Sequence, residues 1–322
     1  MNKKITICVS WLIFLLTFGF FVVKAQEPKP LLHFVQISDT HLQHSYAKDA
    51  ERLLGSSGKL LTFAVNQINE IKDLDFVLST GDQVDIPDPK LVDKYIEITM
   101  ASKYPWYVLL GNHDVSVNGG LEKNGYIRRF YRLEKATSFT RRKTYYSFSP
   151  NDKFTFICLD GTTDKVVTPH GQIQDPEQFE WLKGQLEANK DKYVIIALHF
   201  PFIEPYRSET HFFLEPDRTK LLDLINSYKN VLGVFTGHYH AARLTKIKNK
   251  IHNSCPAVVQ YPNAFREIII TQDDSKHISF NFKWHSVNGE ELRNKSKNSS
   301  DSWRLTEGNK EDQEQIVRLR VY

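Results

Sequence analysis

Short apolar runs recur along most of the chain, and each closes on a cluster of Asp, Asn, His or Gly. Leu31 to Ile37 predicts a strand that ends at Ser38-Asp39-Thr40-His41. Lys59 to Ile71 carries Leu60, Leu61, Ala64, Val65 and Ile68 at helical spacing. Phe76 to Ser79 predicts a strand ending at Gly81-Asp82, Pro89 to Met100 a helix, and Trp106 to Leu110 a strand ending at Gly111-Asn112-His113-Asp114. Tyr145 to Phe148 and Phe154 to Leu159 predict adjacent strands, followed by a helix over Pro176 to Ala188. Tyr193 to Leu198 predicts a strand ending at His199, Asp217 to Tyr228 a helix, and Val231 to Phe235 a strand ending at Gly237-His238-Tyr239-His240. Strands alternating with helices imply a buried, largely parallel sheet.

The tail is built differently. Glu290 to Lys310 is rich in Asn, Ser and Lys and poor in apolar residues, and predicts a loop or poorly ordered excursion. Ile278 to Trp284 and Gln315 to Val321 alternate apolar and polar positions, as strands with one solvated face do. They are expected as edges of the same sandwich rather than as a second domain. The resulting organisation is a segment 1–25, then a single domain over 26–322 with its motif core at about 31–271 and C-terminal edge strands in 276–322.

Segment 1–25 is expected to be a signal peptide. Lys3 and Lys4 precede an apolar run from Ile5 to Val23, and Val23-Lys24-Ala25 sets a small residue before Gln26. Cleavage after Ala25 would export the protein; retention would leave a tether close to the roughly 20 residues that span a bilayer. Of the formal charge of +4, Lys3, Lys4 and Lys24 account for three, leaving +1 on the remainder. A nearly neutral chain gives no reason to expect a polymeric nucleic acid as partner. Cys158 and Cys255 are too few for a disulfide scaffold, although one bridge between them is compatible with the sequence. No Cys-x-x-Cys or Cys/His zinc spacing occurs, so a metal would be held by oxygen and nitrogen.

Five polar clusters carry the chemistry: Asp39-x-His41, Gly81-Asp82-x-x-Asp85, Gly111-Asn112-His113-Asp114, His199, and Gly237-His238-x-His240. Singly each is a modest signal. Together, in this order and each closing a strand, they point to one ligand site beyond the carboxyl ends of the strands. Imidazoles and carboxylates suit Zn, Mn or Fe. Two such ions can activate water and stabilise an in-line displacement, and a shared carboxylate would bridge them. Gly81, Gly111 and Gly237 precede the ligands, where sharp turns are expected to need unusual backbone angles.

This set, from about Leu31 to Thr271, resembles the calcineurin-like metallophosphoesterase family. The resemblance implies a four-layer α-β-β-α sandwich of two mixed sheets with helices outside. It implies one metal held by Asp39, His41, Asp82 and His240, and a second by Asp82, Asn112, His199 and His238, with Asp82 as the bridge. His113 would be the general acid, oriented by Asp85, while Asp114 would serve the turn. The implied reaction is hydrolysis of a small phosphodiester or phosphomonoester by a metal-bridging hydroxide. Arg-Gly does not follow Asp85 as in protein Ser/Thr phosphatases, and Asp85 stands where purple acid phosphatases carry a tyrosine. The compact motif set, with Tyr261 to Arg266 after it, looks most like the bacterial cyclic-nucleotide phosphodiesterase group. The competing class is an inert or membrane-tethered binding protein of the same fold.

Among the other histidines, His33, His170, His252, His277 and His285 are expected to be surface or satisfied residues, whereas His44 and His211 are candidates to face the substrate. The basic run from Arg128 to Lys143 is either a phosphate-attracting rim or a solvated helix and loop.

Overall fold

The computed structural model describes residues 30–115, 120–131, 143–164, 166 and 168–321. The segment 1–25 and most of the basic run, Arg132 to Arg142, lie outside the described residues. Among the described residues, no helix is long and apolar enough to cross a membrane.

Two six-stranded mixed sheets form the centre. In the first, β1 (Leu32–Ile37), β2 (Phe76–Ser79) and β3 (Trp106–Val108) run parallel, and β10 (Ala264–Asp274), β11 (His277–Ser286) and β12 (Gln315–Arg320) extend it antiparallel from β1. In the second, β5 (Phe154–Cys158), β6 (Tyr193–Ala197), β7 (Val231–Thr236) and β9 (Lys250–Ser254) run parallel. β4 (Tyr146–Phe148) and β8 (Arg243–Ile247) close its two ends antiparallel. The strand alternation sorts side chains between layers. Phe156 and Phe235 of the second sheet meet Phe34 and Phe76 of the first, with Phe34–Phe156 centroids 5.4 Å apart. The neighbouring Ile157, Ile196 and Val234 turn outward against Leu182 and Leu186 of α4 (Glu177–Ala188) and Leu221 and Ile225 of α5 (Asp217–Ser227).

On the first sheet, α1 (Ser57–Glu70) buries Leu60, Leu61, Ala64, Val65 and Ile68, the face its periodicity marked. The next helix, α2 (Pro89–Thr99), has Pro89 in its first turn, and the Asp88 carboxylate accepts from Lys90 N–H at the N-cap. A further helix, α3 (Lys123–Tyr131), precedes β4.

The tail departs from expectation. Glu290 to Gln313 folds as α6 (Glu290–Asn298), α7 (Trp303–Glu307) and α8 (Lys310–Gln313) rather than as a loop. Glu290 and Glu291 sit in the first turn of α6 and Lys295 and Lys297 in its last, complementing the helix dipole. Its buried face is carried by Ser296, and α7 buries Thr306, so no apolar stripe advertised these helices. They are fixed by polar contacts: Arg266 is fully buried and donates to the main-chain oxygens of Asp312 and Gln313. Of the two tail strands, β12 is an edge and β11 lies inside the sheet. Cys158 and Cys255 are buried free thiols.

Candidate metal centre

The ends of β1, β2, β6 and β7, with the segment after β3, converge at one end of the sandwich. The backbone there is strained at the functional residues themselves. Asp39, His41, Asp82, His238 and His240 adopt φ of 52°, 39°, 51°, 70° and 54°, a region non-glycine residues rarely occupy. The expected unusual angles at the glycines hold for Gly81, at φ 99°, but not for Gly111 and Gly237. Those two permit close approach instead. A Cβ on Gly111 would lie 2.1 Å from Asp82 Oδ1, and one on Gly237 would lie 2.0 Å from Ser38 Oγ and 2.6 Å from Asp39 Oδ2.

Two pairs of imidazoles face each other across the buried carboxylates. His41 Nε2 and His240 Nε2 are 3.0 Å apart, and His199 Nε2 and His238 Nδ1 are 3.2 Å apart. The outer nitrogen of every ring is committed as a donor. His41 Nδ1 donates to Asp85 Oδ1 at 3.2 Å and His240 Nδ1 to Gln260 Oε1 at 2.6 Å. His199 Nδ1 donates to Thr80 O and His238 Nε2 to Pro169 O, both at 2.8 Å. Two inner nitrogens that face each other this way cannot both be bare, so each pair requires a shared cation, either a proton or a metal ion.

The carboxylates complete the arrangement. Asp82 Oδ2 lies 3.5 Å from His41 Nε2 and 3.2 Å from His199 Nε2, which places it between the pairs. Asp39 Oδ1 lies 3.4 Å from His240 Nε2, and its carboxylate accepts from His238 N–H. Ligand atoms of Asp39, His41, Asp82 and His240 fall within 4.8 Å of one another, as do those of Asp82, His199 and His238. Asn112 Oδ1 is buried without a hydrogen-bond partner, an orphaned acceptor in the same region. The donor set therefore fits two cations that favour nitrogen and oxygen ligands, with Asp82 common to both.

The protonation pattern follows. Burial works against the charged form of His199, but Asp82 and then Asp39 outweigh it and lift its pKa to about 9. His240 is also raised: burial opposes charge, and Asp39 prevails. Their partners go the other way, His41 falling to about 4 and His238 well below the usual range, chiefly through burial. The buried carboxylates thus favour the charged form of one ring in each pair over that of its partner. Burial would raise Asp39 and Asp82, yet the facing histidines hold both low. Asp114 accepts from Gly111 and Val84 N–H, and burial beside Asp82 pushes it well above the carboxylate range.

His113 lies at the rim, its ring 4.7 Å from that of His41. The Asp85 carboxylate lies within ion-pair distance of His113 Nδ1, at 3.8 Å, and the geometry adds a second contact: Nδ1 donates to the Asp85 main-chain carbonyl at 2.8 Å. That carboxylate is drawn to Arg52 Nη1 at 3.0 Å and to His41. Burial would raise the Asp85 pKa, but His41 and Arg52 bring it down to about 2.

A cavity of about 410 Å³ opens over the pairs, lined by His113, Asn112, Arg52, Glu51, His211 and Tyr206 among others. His211 faces this space, as the sequence suggested. His44 does not line it; its ring bonds Asp88 and stacks on Tyr46. His33 and His285 are engaged by Glu267, and His277 by Asp274. His252 is buried, and its Nδ1 has no partner. Sequence reasoning missed Arg52, Glu51, Tyr206 and Gln260, which lie outside the five clusters and carry no motif.

The description "Calcineurin-like phosphoesterase" belongs to the family model that matches residues 32–242, well over half of the chain. The chain belongs to that family. It is 28% identical over 229 residues to a protein of Arcobacter nitrofigilis named "Probable glycerophosphodiester phosphodiesterase", covering 67% of this chain and 74% of that one. It is 23% identical over 221 residues to the 3′,5′-cyclic adenosine monophosphate phosphodiesterase of Haemophilus influenzae, covering 67% and 72%. A match at 26% identity to a Bacillus subtilis protein spans only 16% of that longer chain. Among solved structures, a dimetal phosphatase from Danio rerio superposes with a TM-score of 0.59 at 16% identity, over 80% of this chain and 100% of that one.

Proposed function

We propose that this chain is an exported, metal-dependent phosphoesterase that hydrolyses small phosphodiesters. The observation that carries the reading is the pair of facing imidazole couples around Asp82, each of which offers a site for a shared cation at the floor of an open cavity. Asp39, His41, Asp82 and His240 would hold one ion, and Asp82, Asn112, His199 and His238 the other. Bound Mn, Fe or Zn supplies Lewis acidity, which makes water acidic enough to act as a nucleophile near neutral pH and offsets phosphoryl charge.

The chain's own groups do the rest. Arg52, His113 and His211 line the cavity as donors to phosphoryl oxygens. With Nδ1 committed to Asp85 O, His113 has Nε2 free to carry a proton to the leaving oxygen. Among the described lining residues there is no serine, threonine or cysteine, so water rather than such a side chain is the nucleophile. The names of the Arcobacter and Haemophilus relatives favour diesters as substrates. Export rests on the Lys3–Ala25 pattern and would leave Gln26 as the mature N-terminus, with no stable attachment to the membrane.

The test is a panel of phosphodiesters and phosphomonoesters incubated with metal-depleted protein, before and after addition of Mn, Zn or Fe. Metal-restored hydrolysis of a diester is the expected result. A folded, metal-loaded protein that cleaves no ester would favour the binding-protein alternative.

A further inference from the structure

The chain beyond the family match reaches back into the metal centre. Gln260 receives the His240 Nδ1–H on Oε1, and its own Nε2 donates to Glu51 Oε1 at 2.8 Å. The same Glu51 oxygen accepts from Ser300 Oγ and, at 3.1 Å, from Ser302 Oγ. Ser296 Oγ donates to the Glu51 main-chain oxygen and accepts from Tyr261 N–H. Gln260 and all three serines lie outside residues 32–242, and Ser296 belongs to α6.

We propose that Glu51 and Gln260, anchored by the serines of the C-terminal segment, are positioning residues that fix the tautomer of His240. The argument is one of donors and acceptors. A carboxylate only accepts, so the Gln260 amide must present its NH₂ to Glu51, whose same oxygen also accepts from Ser300 and Ser302. Its carbonyl must then face His240, where it can only accept. His240 is thereby held with its proton on Nδ1 and its Nε2 turned to Asp39 and His41. A flipped amide would offer N–H to Nδ1, move the ring proton to Nε2 and block the inner nitrogen. Groups that orient a metal-binding imidazole are typically worth 10–100-fold in metal affinity.

This inference rests on the two-ion reading, and its test separates the two. Metal affinity is measured on the full-length protein by competition with a chromogenic chelator, using Mn and Zn. The His240 tautomer is read from ¹⁵N shifts of the metal-free protein at a pH where the ring is neutral. Glu51→Gln frees the amide to flip and should weaken one of the two ions by 10–100-fold, leaving the other unchanged, with a shift in the His240 nitrogen signals. The double variant E51Q/Q260E restores an acceptor toward His240 at position 260 and a donor toward that acceptor from position 51, and should recover both affinity and tautomer. Should Glu51→Gln fail to fold, Gln260→Met removes the acceptor that faces His240 Nδ1 and should move both readouts in the same direction. Folded variants with wild-type affinity for both ions and an unchanged His240 tautomer overturn the proposal. A wild-type protein that binds no ion overturns the two-ion reading itself.

Discussion

In the His199–His238 pair both outer nitrogens donate to main-chain carbonyls, Thr80 and Pro169, whereas in the His41–His240 pair both donate to side chains, Asp85 and Gln260. The inner spacing of the two pairs is nearly the same, 3.2 and 3.0 Å. The first pair is oriented by the path of the chain and changes only if the fold does. The second is oriented by groups that a single substitution can replace, and two of its supports, Arg52 and Glu51, come from one loop docked onto Val259 and Gln260. One half of the site is therefore fixed by the fold, and the other is open to tuning.

The carboxylate common to both halves gives the largest expected effect. Asp82→Ala should abolish binding of both ions, read by metal analysis of the purified protein, and reduce hydrolysis to background. Loss of one ion alone would show that the halves are independent. Next in size is His113→Ala, which should keep both ions and lose about 10²–10⁴-fold in kcat. That loss should shrink for nitrophenyl esters, whose leaving group needs little protonation. A wild-type rate on an ester with a poor leaving group would remove His113 from the proton transfer.

Asp85→Asn asks which part of Asp85 matters. The main-chain carbonyl that orients His113 survives, and an amide oxygen can still accept from His41, so kcat should fall only about tenfold. A loss as large as that of His113→Ala would mean that the carboxylate, not the carbonyl, supports the acid.

The smallest effect is at a carboxylate remote from both pairs, and it affects stability rather than chemistry. Burial would raise the Glu267 pKa, but hydrogen bonds from His285, His33 and Lys283 hold it well below the usual range. A depressed carboxyl stabilises the fold above its unfolded pKa, near 4.3, and loses that contribution as pH falls toward its folded value. Glu267→Gln should cost about 2 kcal/mol at pH 7, and the gap from wild type should narrow below about pH 4. A gap that stays constant with pH would show that its ionisation contributes nothing.

The sandwich was legible because its strands are continuous apolar runs and its helices show a clear stripe, as α1 does. The convergence of Asp39, His41, Asp82, His199, His238 and His240 was legible because each follows a strand in a fixed order. The supports were not. Arg52 and Glu51 sit in a loop without periodicity, and Gln260 acts through a bond to a residue twenty positions earlier. The C-terminal helices bury serine and threonine rather than leucine, so hydrophobic patterning reads them as loop. Asp85 was identified by spacing, but spacing could not tell its carbonyl from its carboxylate.

The most direct test of the two-cation centre is anomalous diffraction from crystals of the metal-loaded protein, recorded on both sides of the metal's absorption edge. Two peaks are expected, one against Asp39, His41 and His240 and one against Asn112, His199 and His238, with Asp82 between them. A single peak, or peaks elsewhere on the molecule, would contradict the reading of the two imidazole pairs.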